Sequence, residues 1–159
     1  MCIRDRPYNK SSPDVTLGLN TRLNWKAWDL SIAGHGSFGT YNYNAIAANH
    51  AGLSPTTIYA SESLSNRVKS AFDTNFQIAQ PLSDYYVQNA SFFRIDNIVL
   101  GWSFKNSKRI PFNGRIYGSV QNPFVFTKYK GVDPEVFGGY DGTLYPRPMT
   151  FLLGVNLNF

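Results

Sequence analysis

The 159-residue chain has one cysteine, Cys2, so neither an internal disulfide framework nor a cysteine-based metal site is open to it. Its two histidines, His35 and His50, are far apart in sequence, and a zinc centre needs three or four converging ligands, so neither points to a metal. No nucleophile elbow, phosphate loop or dinucleotide fingerprint is present, which leaves no motif for an enzyme or a cofactor. Charge is sparse, 16% of residues, and the balance is +5 at pH 7. The densest basic group, Lys105, Lys108, Arg109 and Arg115, has no recognition helix, stacking platform or finger spacing beside it, so a solvated turn is expected and nucleic acid is not. No apolar run approaches the roughly 20 residues of a membrane helix. Met1 to Asn20 also lacks the apolar segment of a secretory leader, so the chain is either cytosolic or without its true N-terminus. Neither absence excludes a membrane crossed by strands, because barrel strands read as alternation and not as runs.

Alternation is what the chain does have. In the last eleven residues Phe151, Leu153, Val155, Leu157 and Phe159 occupy one face of an extended strand, with Leu152, Gly154, Asn156 and Asn158 on the other. A barrel strand of roughly 9–11 residues needs this pattern, apolar toward lipid and polar toward the lumen. The last strand of a soluble β-sandwich could show it too. Asp14 to Trp25 repeats the pattern, with Val15, Leu17, Leu19, Thr21, Leu23 and Trp25 on one face. After a Lys26-Ala27 turn, Trp28, Leu30, Ile32, Gly34, Gly36 and Phe38 alternate with Asp29, Ser31, Ala33, His35 and Ser37, which predicts a hairpin. Trp25 and Trp28 flank that turn as an interfacial belt would. In Ser91 to Phe104, Ile98, Leu100, Trp102 and Phe104 share one parity but Phe93 and Ile95 take the other. Either a bulge near Asn97 or an exit from the apolar band is implied. Gly114 to Thr127 alternates again, and Pro123, lacking an N–H, needs an edge or irregular position.

The expected organisation is therefore all-β and antiparallel, with strands near 14–25, 28–40, 91–104, 114–127 and 149–159. Residues 1–6 (MCIRDR) fit nothing that follows and are expected to be a spurious start, leaving 7–159 as the native part. The long segments 41–89 and 128–148 are read as extracellular loops, and the connections at Lys26-Ala27 and Lys105–Asn113 as short periplasmic turns. Within the first loop, Leu64, Val68, Ala71 and Phe72 could line one face of a short helix. Terminus, loop lengths and Trp positions agree on one orientation for every strand. That agreement favours an up-and-down transmembrane β-barrel over a sandwich, and five strands are too few to close one.

Four stretches carry a resemblance. Ser83–Phe104 (SDYYVQNASFFRIDNIVLGWSF) resembles the entry to a late barrel strand of SusC/RagA-type TonB-linked outer-membrane proteins. Ser119–Val136 resembles their Q-N-x-F-x-F-T-x-Y-x-G-x-D-P-E signature, and Tyr145–Phe159 their closing P-x-P-x-T-F-x-x-G-x-N-x-x-F. Ser11–Gly39 is similar to an earlier hairpin of the same barrels. The resemblance implies the C-terminal part of a plugged barrel of about 22 strands in the outer membrane of a Gram-negative bacterium. It implies import of oligosaccharides or peptides energised through the TonB complex, with a SusD-like surface lipoprotein as lid. The parts that contact TonB and plug the barrel lie outside these 159 residues, so the segment alone is not expected to transport. The resemblance also makes Phe151, Leu153, Val155, Leu157 and Phe159 the signal read by the barrel-assembly machinery, beside their contact with outer-membrane lipid.

Other site candidates are weaker. Tyr140, Tyr145 and Arg147 could contact a sugar, a peptide or the lid, or simply pack the loop. Asp133 and Glu135 form an i, i+2 carboxylate pair, but Asp133-Pro134-Glu135 matches the family signature as it stands, which favours loop structuring over catalysis. Two other functions stay open at this point: a secreted carbohydrate-binding β-sandwich, and a passive porin-type barrel. The sandwich would bury Leu17, Leu19, Leu30, Ile32, Leu100, Trp102, Leu153 and Val155 between sheets, whereas a barrel would leave them on one exposed apolar surface.

Overall fold

The computed structural model of the chain describes residues 9–53, 67–81, 83–105 and 113–158. The described elements, in chain order, are β1 (Val15–Trp25), β2 (Trp28–Phe38), β3 (Tyr41–Asn44), helix α1 (Ala45–Asn49), helix α2 (Ser70–Thr74), β4 (Val87–Asn89), β5 (Phe92–Phe104), β6 (Asn113–Thr127), β7 (Tyr140–Asp141) and β8 (Thr150–Asn158). Single 3-10 turns lie at Asp84–Tyr86 and Phe137–Gly139. The chain forms two compact units. One comprises Val15–Ser37, Phe92–Thr127 and Arg147–Phe159; the other comprises Met1–Asp14, Phe38–Ser91 and Lys128–Pro146.

The first unit is a sheet in the order β1-β2-β5-β6-β8, each described strand beside its sequence neighbour in the unit. β2 to β8 pair antiparallel, and their register turns the alternation of each strand into continuous rows. Trp28, Trp102, Ile116 and Val155 form one row; Leu30, Leu100, Gly118 and Leu153 the next; Ile32, Ile98, Val120 and Phe151 a third. The rows between them carry Asp29, Gly101, Tyr117 and Gly154, then Ser31, Val99, Ser119 and Leu152, then Ala33, Asn97, Gln121 and Thr150. One face is thus apolar and the other mostly small or polar. Among the described residues, Phe92 is, apart from Pro123, the one buried hydrophobic of this unit. The sheet has no core of its own.

The phase change in β5 is a bulge. Ile95 pairs with Gly34 and Asn97 with Ala33, so Asp96 is an extra residue against β2. Against β6 the imbalance is reversed: Asn122 and Pro123 both lie between the partners of Asn97 and Ile95. Asn122 takes a positive φ of 52°, and the buried Pro123, which has no N–H to offer a ladder, occupies the irregular position its chemistry requires. The bulge restores Ile95 and Phe93 to the face of Ile98 and Leu100, beside Phe124 and Phe126. Aromatics consequently cap both ends of the apolar rows. Trp28 lies 6.4 Å from Trp102 at one end, and Phe124 6.5 Å from Phe126 at the other. From Trp28 to Gly36 along β2 the rise at about 3.3 Å per residue is roughly 26 Å, comparable with an apolar band crossed by a tilted strand.

The second unit is small and mixed. β3 pairs antiparallel with β4 and parallel with β7. Asn44 ends β3 and caps α1, its Oδ1 accepting from the Ala47 N–H at 2.9 Å. Ala47, Ala48, Ala51 and Tyr86 form the core, with Tyr43 and Val68 packed against it. The segment 41–89 therefore carries strands and helices of its own and is not one open loop. Of the residues expected on a helical face, Val68 and Ala71 pack inward. Phe72 on α2 is 68% exposed, a departure from that face, and Leu64 lies outside the described residues. Two of the four basic residues near the expected turn, Lys108 and Arg109, also lie outside them.

Candidate functional site

The apolar rows form the first candidate, a surface for lipid. Phe151, Leu153, Val155 and Leu157 share one face of β8 and all are exposed, Leu153 by 90%. Phe159 lies outside the described residues. Leu17, Leu19, Leu100, Trp102, Leu153 and Val155 are exposed, and Leu30 and Ile32 are half-buried by their strand neighbours. A sandwich would bury all eight, so the sandwich expectation is overturned. Apolar side chains on a continuous face gain about 25 cal/mol per Å² on leaving water, a transfer that a lipid phase could supply to this sheet.

On the opposite face, polar groups are paired across strands. Asp29 of β2 and Arg115 of β6 meet over the intervening β5, with Arg115 Nε donating to Oδ1 at 2.9 Å and Nη2 to Oδ2 at 2.5 Å. They meet because Gly101 stands between them: a Cβ there would lie 2.5 Å from both Arg115 Nη2 and Asp29 Oδ1. Arg115 also stacks on Tyr117, 5.0 Å from the ring centroid, and Tyr117 in turn covers Gly154. Beside the bulge, His35 Nδ1 lies 2.7 Å from Asp96 Oδ2, and Ser119 Oγ donates to Asn97 Oδ1 at 2.7 Å. The sequence reading found the polar face but not these pairs. An isolated glycine within the alternating run was the available signal for the close approach at Gly101.

The second unit explains the signature around Tyr129–Glu135. Asp141 is fully buried; Tyr129 Oη donates to its Oδ2 at 2.7 Å, and the Thr143 N–H donates to its Oδ1 at 3.0 Å. Gly131 leaves room for the Tyr129 ring and the Asp141 carboxylate. Burial, together with the hydrogen bond to Asp141, holds the Tyr129 phenol well above its usual pKa. Asp133 is buried and accepts from the Glu135 N–H at 2.9 Å, while the Pro134 carbonyl accepts from Asn42 Nδ2 at 2.8 Å. The Asp133 carboxylate thus shapes the loop through the backbone of Glu135. Tyr140 on β7 stacks on Tyr43 with ring centroids 5.8 Å apart, and Tyr145 is 83% exposed. No ring contact joins Tyr140 to Tyr145 among the described residues, and Arg147 belongs to the sheet unit. The three do not form one constellation within a unit.

No protein-family model matches the sequence. The chain is 40% identical over 157 residues to the TonB-dependent receptor SusC of Bacteroides thetaiotaomicron, covering 96% of this chain and 16% of that protein. It is 28% identical over 171 residues to the TonB-dependent receptor P3 of Formosa agariphila, covering 93% of this chain and 16% of that protein. Among solved structures it superposes on the RagAB peptide transporter with a TM-score of 0.72 at 22% identity, covering 95% of this chain and 18% of that chain. The chain thus spans about one sixth of the length of the curated relatives it matches.

Proposed function

This chain belongs to the SusC/RagA family of TonB-linked outer-membrane proteins, and we propose on that basis that it is part of the transmembrane wall of a nutrient importer. The importer lies in the outer membrane of a Gram-negative bacterium and takes up oligosaccharides or peptides. The observation that carries this reading is the set of apolar rows, continuous in register across β2, β5, β6 and β8, exposed, and bounded by aromatics at both ends.

The physical roles follow from the two faces. The apolar rows face acyl chains, and the aromatic ends sit at the headgroups. The paired polar face lines the interior, where Asp29, Arg115, His35 and Asp96 satisfy one another across strands. Segments 41–89 and 128–148 stand outside the cell, and Tyr140, Tyr145 and Arg147 there contact the substrate or a SusD-like lipoprotein lid. Phe151, Leu153, Val155, Leu157 and Phe159 are the strand read by the barrel-assembly machinery. Energy arrives through TonB by way of parts of the whole protein beyond these residues, including a plug.

Uptake of labelled oligosaccharides and peptides tests the reading, in cells carrying or lacking the gene for the intact receptor. The expected result is uptake that requires the gene and stops when the proton-motive force is collapsed. Uptake that persists after that collapse would instead indicate a passive porin.

A further inference from the structure

A cleft of 880 Å³ lies wholly within the second unit, lined by α1, α2, β4, the Tyr85-Tyr86 turn and the segment 128–132. Its volume is in the range of small-molecule sites. The chemistry of its lining is one-sided. Three amide side chains line it, and the carbonyl oxygen of each accepts from a backbone N–H. Asn44 accepts from Ala47 at 2.9 Å, Gln88 from Lys130 at 3.3 Å and Asn89 from Ser91 at 2.9 Å. Each amide keeps an NH₂ group with two donors, against one remaining lone pair on its oxygen. Lys69, Lys128 and Lys130 add three ammonium groups, none of which pairs with a carboxylate among the described residues; Asp73 is the one carboxylate in the lining. Tyr86 is 1% exposed, and its hydroxyl has no hydrogen-bond partner among the described residues. Tyr85 stands edge-on to it at 5.2 Å and keeps an exposed ring.

We propose that this cleft binds an oligosaccharide bearing carboxylate or sulfate groups. The lining offers donors and positive charge in excess, so it fits a ligand rich in acceptors and negative charge. The aromatic surface of Tyr85 fits the apolar face of a sugar ring. The proposal narrows the substrate class of the importer reading and rests on it only in placing this unit outside the membrane.

Titration calorimetry of the intact receptor in detergent tests it, with trigalacturonate, uncharged trigalactose and triglutamate as probes. Trigalacturonate is expected to bind, more weakly as salt rises, with the other two at least about tenfold weaker. The double variant Lys128→Gln, Lys130→Gln is expected to lose about tenfold or more for trigalacturonate while keeping its melting temperature, because both side chains are exposed. Equal binding of trigalactose, equal binding of triglutamate, or unchanged affinity in the lysine variant would each overturn the proposal. Binding is read without uptake, so a receptor that binds trigalacturonate but imports nothing removes the transport reading and leaves the site.

Discussion

At the residue scale, the glycines of the sheet are not equivalent. Gly101 holds open the path between Asp29 and Arg115, whereas a Cβ added at Gly18 meets nothing within 4 Å. Gly101→Ala should displace a bidentate ion pair whose two members are largely shielded, at about 2–3 kcal/mol. Gly18→Ala should stay within about 0.5 kcal/mol. Urea unfolding of the intact receptor in lipid vesicles, folded and unfolded forms separated by gel mobility, measures both. A second residue-scale prediction concerns Tyr129. Its pKa is raised in the folded state, so the neutral phenol contributes stability that is full below the unfolded value of about 10 and is lost as pH rises beyond it. Amide protection factors in segment 128–143, corrected for the intrinsic hydroxide-catalysed rate, should therefore fall above pH of about 10. Tyr129→Phe should abolish that dependence and cost about 1–3 kcal/mol, because Asp141 Oδ2 loses its donor in a buried setting. A fall in protection with the same alkaline onset in the variant would show that another group is responsible.

At the scale of elements, the strands were legible and the pairing between distant segments was not. A period of two over nine or more residues separates the faces of β1, β2, β6 and β8 without any knowledge of neighbours. The odd parity of Phe93 and Ile95 was visible as well, and the ladder assigns it to a bulge at Asp96. Strands of four, three and two residues carry no period, so the β4-β3-β7 sheet could not be read from them, nor the pairing of Tyr43 with Tyr140. The Asp29–Arg115 pair spans 86 positions and leaves only an unexplained glycine as its trace. The bulge supports a direct prediction. Deleting Asp96 leaves strict alternation in β5 and should permit assembly into the outer membrane. Deleting Val99 shifts every residue on one side of it to the wrong face and should abolish assembly. Heat-modifiable gel mobility distinguishes the two, and equal loss from both deletions would remove the bulge account. On β8, Leu153→Arg places a charge in the middle apolar row and should cost about 2–4 kcal/mol in lipid. Leu152→Arg, on the opposite face, should cost much less.

At the scale of the whole molecule, function was legible to the extent that it resides in faces and in local signatures. A lipid-facing wall needs only alternation, and the Tyr129–Glu135 signature is contiguous, so both could be recognised before any contact was known. The cleft of the second unit is assembled from residues scattered between Asn44 and Val132, and no contiguous pattern announces it. Tyr140, Tyr145 and Arg147, which sequence proximity suggested as a group, are divided between the two units. The central claim is that one face of the β1-β2-β5-β6-β8 sheet meets lipid. It is tested most directly by spin labels placed singly along β5, from Phe93 to Trp102, in the intact receptor in vesicles. Collision with an apolar quencher and with a water-soluble quencher is then measured at each position. The account predicts alternation with a period of two: Phe93, Ile95, Ile98, Leu100 and Trp102 accessible from lipid, Arg94, Asn97, Val99 and Gly101 not, and one break in phase at Asp96. A uniform profile, or protection of Leu100 and Trp102 from the apolar quencher, would contradict it.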